Sequence, residues 1–238
     1  MRCLEWNVAH QTRRRPIPAA AGVALADLAP DVVVLTEYVA DESHGEFLGI
    51  LKAAGLSHIE PSGYVPGQNQ VLIASRWEWE VGDSSPPDFS SATVPNWRHL
   101  RLAEPGFDLI GLRVPMFESG RVRREYWDWF EGSVLAMRDR PTVLIGDLNA
   151  DPGKARRVGG RHLARLTTQG WCVASPVLGW SFVGKTGLTS RIDHAILSQH
   201  FRQDSELRYI AEWNGFRFAG PREYSDHAVL CVDVSRVS

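Results

Sequence analysis

Carboxylate and carboxamide side chains recur at the ends of short apolar segments of this sequence. Burying one carboxylate beside a packed strand is costly unless a cation or hydrogen bonds compensate it, so repeated placement of this kind indicates a shared site. Oxygen donors of these types suit hard divalent cations such as Mg²⁺ or Mn²⁺ better than zinc. The residues concerned are Asn7, Glu37, Asp147, Asn149, Asp193, Asp226 and the adjacent His227.

The segments that carry these residues have the pattern of strands in a packed sheet. Each is a short run rich in Val, Ile and Leu, and turn residues bound it. Because the ends of strands from distant parts of a chain can meet at one rim of a sheet, we expect these side chains to converge. The predicted strands are Arg2–Val8, Asp31–Glu37, Gln70–Ser75, His99–Ala103, Asp108–Val114, Thr142–Asp147, Arg191–Ser198, Leu207–Glu212 and Ala228–Val234.

Helical spacing of apolar residues predicts four helices between these strands. Three cover Ile17–Leu28, Glu46–Ala54 and Arg123–Arg138, and a Gly-Gly pair interrupts the fourth pattern, over Lys154–Leu166. Many strands with few helices favour two mixed sheets packed face to face and covered by helices. Since no internal repeat or second core pattern is visible, we expect a single domain over residues 1–238.

Composition narrows the function classes. The 26 Lys and Arg residues against 28 Asp and Glu residues give a net charge of −2, which argues against a protein that coats nucleic acid. The 3 cysteines show no CxxC spacing, so a reduced intracellular protein is expected. No apolar stretch approaches the roughly 20 residues that span a bilayer, and Glu5 and Asn7 interrupt any signal-peptide pattern. We therefore expect a cytoplasmic protein with no membrane insertion and no obligate protein partner.

Five strings resemble, in order, the signature motifs of the endonuclease/exonuclease/phosphatase superfamily. They are LEWNV, PDVVVLTE, VLIGDLNAD, SRIDHAILS and SDHAVL, and the matching positions run from Asn7 to His227. GQNQVLIASR also resembles the family's strand that ends in Ser-Arg. The resemblance implies an α/β fold, a four-layered α-β-β-α sandwich of two mixed sheets with flanking helices. It also implies hydrolysis of phosphate esters.

The resemblance assigns a role to most of the candidate residues. Glu37 would be the principal ligand of Mg²⁺, with Mn²⁺ as an alternative ion, and Asn7 and Asp226 would assist it. Asp147 would orient or deprotonate the attacking water. Asn149 would donate a hydrogen bond to the phosphate or to the nucleophile.

The remaining candidates would contact the substrate. His227 would contact the phosphate while Asp193 holds its ring, because an imidazolium beside a carboxylate is favoured in its charged state. Arg113 stands where family members usually carry a Tyr or His that touches the phosphate, so it is predicted to contact the phosphate instead. Pairing with a nearby acid is the alternative for this arginine. Arg191 is a further candidate for substrate binding.

Substrate preference depends on less specific features. The segment 113–165 has an excess of basic residues, which favours nucleic acid, and DNA in particular, as substrate and partner. In the basic run between Lys154 and Arg165, an ordinary solvated helix face is the alternative. For Tyr126 and Trp127, packing in the core is the alternative to stacking on bases. Relatives of the abasic-site enzymes carry Asp two positions after the first Asn, where Ala9 stands here.

The sequence thus predicts a Mg²⁺-dependent phosphodiester hydrolase, in first place a nuclease that acts on DNA through an activated water. One alternative is a phosphatase or phosphodiesterase for a small or lipid-derived phosphate ester. The other is a catalytically silent nucleic-acid-binding module. Silent relatives are expected to lose metal-binding or base residues, whereas every candidate is retained here.

Overall fold

Two six-stranded sheets form the centre of the computed structural model, which describes residues 1–237. In chain order the strands are β1 (Arg2–Asn7), β2 (Val32–Tyr38), β3 (His58–Pro61), β4 (Gln70–Ser75), β5 (Trp79–Val81), β6 (Trp97–Leu102), β7 (Phe107–Arg113), β8 (Thr142–Asp147), β9 (Cys172–Ala174), β10 (Phe182–Val183), β11 (Thr189–Ser190), β12 (Asp193–Leu197), β13 (Phe201–Ile210), β14 (Glu212–Trp213), β15 (Phe216–Arg217) and β16 (Val229–Arg236). The helices are α1 (Ala19–Asp27), α2 (Gly45–Ala53), α3 (Gly120–Ala136) and α4 (Val158–Thr168), with single 3₁₀ turns at Gln11–Arg13, Glu42–His44 and Val94–Asn96.

The two sheets are mixed, and their order places the chemistry-bearing strands side by side. The first sheet has the order β13-β16-β1-β2-β4-β3, and the second has the order β5-β6-β7-β8-β12-β9. β1 and β2 are parallel neighbours in the first sheet, as β7 and β8 are in the second. Parallel neighbouring strands end at the same edge of a sheet. Residues at the ends of β1 and β2 therefore collect at one edge of the first sheet, and residues at the ends of β7 and β8 collect at one edge of the second.

Three apolar clusters hold four layers together. One cluster, which includes Cys3, Val34 and Ile145, lies between the two sheets. A second joins the outer face of the first sheet to α1 and α2, and a third joins the outer face of the second sheet to α3 and α4. This arrangement confirms the predicted α-β-β-α sandwich.

The boundaries of several elements differ from the predictions. α4 begins at Val158, four residues later than predicted, because turns between Asp151 and Arg157 come first. Its Gly-Gly pair therefore lies in the first turn and does not interrupt the helix. β13 is 10 residues long and begins before the predicted strand. The edge strands β3, β5 and β9 were not predicted, since such short segments carry no clear alternation of apolar and polar residues.

Among residues 1–237, no helix combines the length and apolar character that a membrane crossing demands.

Candidate active site

Strand ends from both sheets bring most of the predicted residues to one rim. Asp147 ends β8 and faces Asp193, the first residue of β12, in antiparallel register. Arg113 ends β7 and is the parallel partner of Asp147. Asn7 ends β1 in the other sheet, and its Nδ2 donates a hydrogen bond to Asp147 Oδ2 at 3.0 Å. The two sheets therefore meet at Asp147, which is the centre of the candidate site.

Hydrogen bonds orient the carboxylate of Asp147. The backbone N–H of Asn149 donates to Oδ1 at 2.8 Å, and the side-chain Nδ2 of Asn149 approaches Oδ2 at 3.2 Å. Asn149 has a left-handed backbone with φ 48°, a conformation that Asn tolerates better than most residues. Burial raises the pKa of Asp147 to about 7, and the nearby carboxylate of Asp193 adds to this effect, while His227 and Arg113 oppose it. A carboxylate with such a pKa is suited to accept a proton near neutral pH.

His227 and Asp193 form a buried ion pair beside Asp147. The ring Nδ1 lies 3.0 Å from Asp193 Oδ2 and 3.2 Å from Oδ1. Burial disfavours the charged ring, but the carboxylate of Asp193 outweighs that cost and raises the pKa of His227 to about 10. The backbone of His227 is fixed as well, because its carbonyl accepts a hydrogen bond from Trp6 Nε1 and its N–H donates to Ser225 Oγ. His227 is therefore an imidazolium at neutral pH.

The carboxylate of Glu37 is not free, because two basic side chains contact it. Arg113 Nη2 lies 2.7 Å from Oε1, and His10 Nε2 lies 2.6 Å from Oε2. Burial favours the neutral acid, but the hydrogen bond from His10 and the charge of Arg113 prevail and lower the pKa of Glu37 to about 2. Arg113 Nε also lies 3.7 Å from Asp147 Oδ2. The pairing of Arg113 with an acid, one of the two alternatives from the sequence, is thus present.

A short polar chain that the sequence analysis missed holds His10 against Glu37. Asn69 Nδ2 contacts His10 Nδ1, and Asn69 Oδ1 accepts a hydrogen bond from Arg13 Nε at 2.8 Å. Because Arg13 fixes the amide oxygen, the Asn69 N–H₂ group faces the imidazole, and Nδ1 acts as acceptor. Nε2 then carries the hydrogen that points to Glu37. Asn69 lies within the recognised string GQNQVLIASR, but the residues next to β1 and β4 show no pattern that predicts the contact.

Glu5 is a further buried carboxyl group that the sequence analysis did not select. Its Oε1 accepts a hydrogen bond from Thr36 Oγ1 at 2.9 Å, and its Oε2 has no hydrogen-bond partner among residues 1–237. Burial, followed by the charges of Asp193 and Asp147, raises the pKa of Glu5 well above its usual range. Burial of this carboxyl group therefore favours its protonated form.

Two of the remaining predicted residues lie at the margins of this arrangement, and the amide of Asn7 has its partners within it. Asp226 is 43% exposed, and its Oδ1 lies 3.9 Å from His227 Nε2. Arg191 Nη1 donates to the backbone carbonyls of Pro176 and Val177, so this side chain ties down the loop before β10. Asn7 directs its N–H₂ group to Asp147, while its Oδ1 accepts a hydrogen bond from the backbone N–H of residue 9 at 2.8 Å.

The donor set of the rim fits a hard divalent cation. Carboxylate oxygens of Asp147 and Asp193 lie within 4.8 Å of each other and of a ring nitrogen of His227, which as an imidazolium pairs with carboxylates and does not bind a metal. Glu37 and the half-exposed Asp226 add carboxylate oxygens to the same rim. Oxygen-rich sites of this type suit Mg²⁺ or Mn²⁺.

The aromatic residues of α3 serve the core. Tyr126 is 1% exposed and Trp127 is 2% exposed, and both belong to the apolar cluster between the second sheet and the helices. Packing, the alternative stated from the sequence, is therefore confirmed for both, and neither is available for stacking on bases.

Known structures share this fold. The 3′ phosphatase NExo from Neisseria, bound to a product DNA hairpin, aligns with a TM-score of 0.72 at 20% identity over 99% of both chains. An AP endonuclease from Archaeoglobus fulgidus aligns with a TM-score of 0.66 at 17% identity over 98% of both chains. The human Nocturnin catalytic domain with a bound sulfate anion gives 0.63 at 15% identity and covers 100% of this chain and 93% of its own.

Sequence comparison extends the result from the fold to the family. The chain matches no curated protein sequence. The sequence profile of the Endonuclease/Exonuclease/phosphatase family, however, matches residues 4–227 and includes the whole rim from Asn7 to His227. The chain belongs to the Endonuclease/Exonuclease/phosphatase family.

Proposed function

We propose that this protein is a Mg²⁺-dependent phosphodiester hydrolase that cleaves nucleic acid, with DNA as the favoured substrate. The observation that carries the proposal is the joining of both sheets at Asp147 by the hydrogen bond from Asn7, with the His227–Asp193 pair beside it. Hydrolysis of a phosphodiester needs in-line geometry and stabilisation of developing charge more than covalent chemistry. The rim offers a base, an imidazolium and a set of carboxylates within one cluster.

Asp147 is the proposed general base. It takes a proton from the attacking water, the water oxygen forms a bond to phosphorus, and the bond from phosphorus to the leaving oxygen breaks. Asn149 and Asn7 donate to the same carboxylate and hold it in one orientation. Its raised pKa makes the proton transfer more favourable than for an ordinary aspartate.

His227 and Arg113 are the proposed phosphate contacts. The imidazolium of His227 donates from Nε2, because its Nδ1 is held by Asp193. Arg113 Nε has no hydrogen-bond partner among residues 1–237 and lies 3.7 Å from Asp147 Oδ2, so the guanidinium places positive charge beside the proposed phosphate position. Both groups are charged donors, which are the stronger kind for an anionic acceptor.

Glu37 is the proposed principal metal ligand, with Asp226 and Asn7 assisting. When bound, Mg²⁺ neutralises charge that develops on the phosphate. His10 is 54% exposed and Arg113 is 12% exposed, so His10 can leave Glu37 more readily than Arg113 can. Arg113 then continues to connect Glu37 with Asp147.

Two observations support nucleic acid as the substrate. Structures of similar fold include a phosphatase bound to a DNA hairpin and an AP endonuclease. The basic run that follows β8 also divides into two parts. Lys154, Arg156 and Arg157 line a cavity next to Asn149, whereas Arg165 pairs with Glu131 on the helical surface.

A substrate panel tests the proposal. The protein is incubated with Mg²⁺ and labelled single-stranded, nicked and abasic DNA, with RNA and with generic phosphomonoesters. We expect cleavage of at least one DNA substrate, its loss in EDTA and its absence in Asp147→Asn prepared in the same way. Hydrolysis of the monoesters alone would reject the nuclease proposal in favour of a phosphatase.

A further inference from the structure

A cavity of about 520 Å³ opens beside the proposed reaction centre. Asn149, which donates to the carboxylate of Asp147, lies in its wall. Residues that follow β7, including Met116, form one side, and the segment between β8 and α4 forms the other. A group bound in this cavity therefore lies next to the scissile position but not on it.

The cavity has more positive than negative side chains. Arg123, Lys154, Arg156 and Arg157 line it, with Asp151 as the carboxylate among the lining residues. Lys154 Nζ lies 3.4 Å from Asp151 Oδ2, so that pair is compensated. Within residues 1–237, the guanidinium groups of Arg156 and Arg157 make no hydrogen bond or ion pair. Two adjacent cations without counter-ions repel each other and attract an anion.

The rest of the basic run has a different environment. Arg165 donates to Glu131 from Nε at 3.0 Å and lies outside the cavity. Arg161 is exposed on α4 and also lies outside the cavity lining. Arg156 and Arg157 are exposed as well, but they differ from Arg161 and Arg165 because they line the cavity.

The start of α4 adds to the positive charge of the cavity. Gly159 and Gly160 pack closely on the loop, and a Cβ at Gly160 would lie 2.5 Å from the carbonyl of Lys154. Within the described chain, the first turn of α4 has no acidic residue and no capping side chain, and Arg157 occupies the N-cap position. Since the amino end of a helix is itself positive, arginines here are unfavourable unless an anion joins them.

We infer that this cavity binds a second, non-reacting phosphate group of the substrate. The inference rests on the proposed function of the rim, which supplies the scissile phosphate position. The second phosphate has two chemical sources, a neighbouring phosphodiester of a nucleic-acid strand or a distal phosphate of a nucleoside polyphosphate. A substrate with one phosphate leaves the cavity unused.

The test compares Arg156→Ala/Arg157→Ala with Arg138→Ala/Arg202→Ala. The control removes the same charge from two exposed arginines at the opposite end of the strands, beside the start of β8 and the end of β16. Substrates are a labelled single-stranded oligonucleotide and bis(p-nitrophenyl) phosphate, a diester with one phosphate. For the first variant we expect KM for the oligonucleotide to rise about tenfold with kcat nearly unchanged. Its KM for the one-phosphate diester stays at the wild-type value.

A binding measurement separates this inference from the proposed function. Calorimetry without Mg²⁺ measures binding of pyrophosphate, of ADP and of the oligonucleotide to the wild type and both variants. Weaker binding of any of them in Arg156→Ala/Arg157→Ala alone supports the cavity even if no substrate is hydrolysed, and the ligand affected identifies the source. Equal binding by wild type and this variant, or equal loss in the control, overturns it. Thermal unfolding of each variant shows that the fold is kept.

Discussion

Buried carboxylates with basic partners occur at both ends of the strands of the second sheet, and the two clusters differ in their balance of charge. At the end opposite the rim, Asp108 is the second residue of β7, and its side chain is 6% exposed. Two arginines and a histidine surround it: Arg140 Nη2 lies at 2.7 Å, His99 Nε2 at 3.1 Å and Arg101 Nε at 3.5 Å. Asp83, whose side chain is 66% exposed, pairs with the same three basic side chains, so one buried and one exposed carboxylate face three basic groups there.

At the rim, the carboxyl groups outnumber their basic partners. Glu5, Glu37, Asp147 and Asp193 are all buried, against Arg113, His10 and His227. The excess contributes to the raised pKa values of Glu5 and Asp147 described above. The comparison teaches that a buried carboxylate by itself does not mark a reaction centre, whereas an uncompensated set of them does.

Backbone strain follows the same division. Among residues 1–237, six non-glycine residues have left-handed φ angles; Ala9, His10, Glu37 and Asn149 lie at the rim, and Ala29 and Asn214 lie elsewhere. Among the described residues, Asp108 and its partners His99, Arg101 and Arg140 do not have left-handed φ angles. Non-glycine residues keep such angles only where the surroundings enforce them, which is common at functional sites.

The largest expected effect that separates the two clusters is on catalytic rate. We predict that Asp147→Asn lowers kcat by about 10²–10⁴-fold, because the amide cannot accept the proton from water. The variant should be at least as stable as the wild type, since it removes a buried carboxylate that carries a desolvation cost. Single-turnover cleavage of the preferred DNA substrate and thermal unfolding measure the two quantities. A rate near that of the wild type would remove Asp147 from the mechanism.

The next largest expected effect is on the Mg²⁺ concentration that the enzyme requires. Glu37→Gln should raise the Mg²⁺ concentration for half-maximal rate about 10- to 100-fold, and it should lower the maximal rate, because the principal carboxylate ligand is lost. The fold is expected to persist. The measurement is a Mg²⁺ titration of activity, and an unchanged titration curve contradicts the assignment of Glu37.

For the opposite cluster, the expected effect is on stability alone. Asp108→Asn leaves two arginines and His99 with only the exposed carboxylate of Asp83, and we expect a loss of about 3 kcal/mol in the free energy of unfolding. The folded variant should cleave DNA at the wild-type rate. Denaturant unfolding and activity per folded molecule provide the check, and a selective loss of rate would show that this cluster also serves catalysis.

A smaller expected effect concerns pH. The pKa of His227 is raised from 6.5 to about 10 in the folded protein, so the pair with Asp193 stabilises fully below pH 6.5 and is lost as the pH rises through about 10. In EDTA, the free energy of unfolding should therefore fall between pH 7 and pH 10. His227→Ala should show a flatter curve over that range. Identical slopes for the two proteins would argue against the imidazolium.

The smallest expected effect is that of His10. Because this side chain competes with a metal ion for Glu37 Oε2, His10→Ala should lower the Mg²⁺ concentration for half-maximal rate about three- to tenfold. Direct Mn²⁺ binding, followed by electron paramagnetic resonance, measures the same change without activity. An increased requirement would instead indicate that His10 helps to hold the metal.

The sequence predicted which residues lie at the rim better than it predicted the contacts between them. The positions of Asp147 and Asp193 follow from strand ends, which short-range alternation and turn residues reveal. His10, Asn69 and Glu5 could not be found in this way, because their contacts join segments that are distant in the chain. Whether Arg113 faces a carboxylate or a free phosphate position likewise depends on β2 in the other sheet, and no local pattern encodes that distance.

The edge strands illustrate the same limit for the fold. β9 is three residues long and is a strand because β12 offers it hydrogen bonds, not because of its own composition. The predicted start of α4 at Lys154 is four residues too early for a related reason. Its glycines reduce helix propensity, but packing against the loop after Asp151 requires them there.

Cleavage of one labelled oligonucleotide as a function of Mg²⁺ concentration, measured side by side for wild type, Asp147→Asn and Asp108→Asn, tests the central claim most directly. The claim is that the rim, and not the compensated cluster, is a metal-dependent hydrolytic centre. We predict saturating Mg²⁺ dependence for wild type and Asp108→Asn, and no cleavage above background for Asp147→Asn. Equal cleavage by Asp147→Asn and wild type, or full activity of the wild type in EDTA, would contradict it.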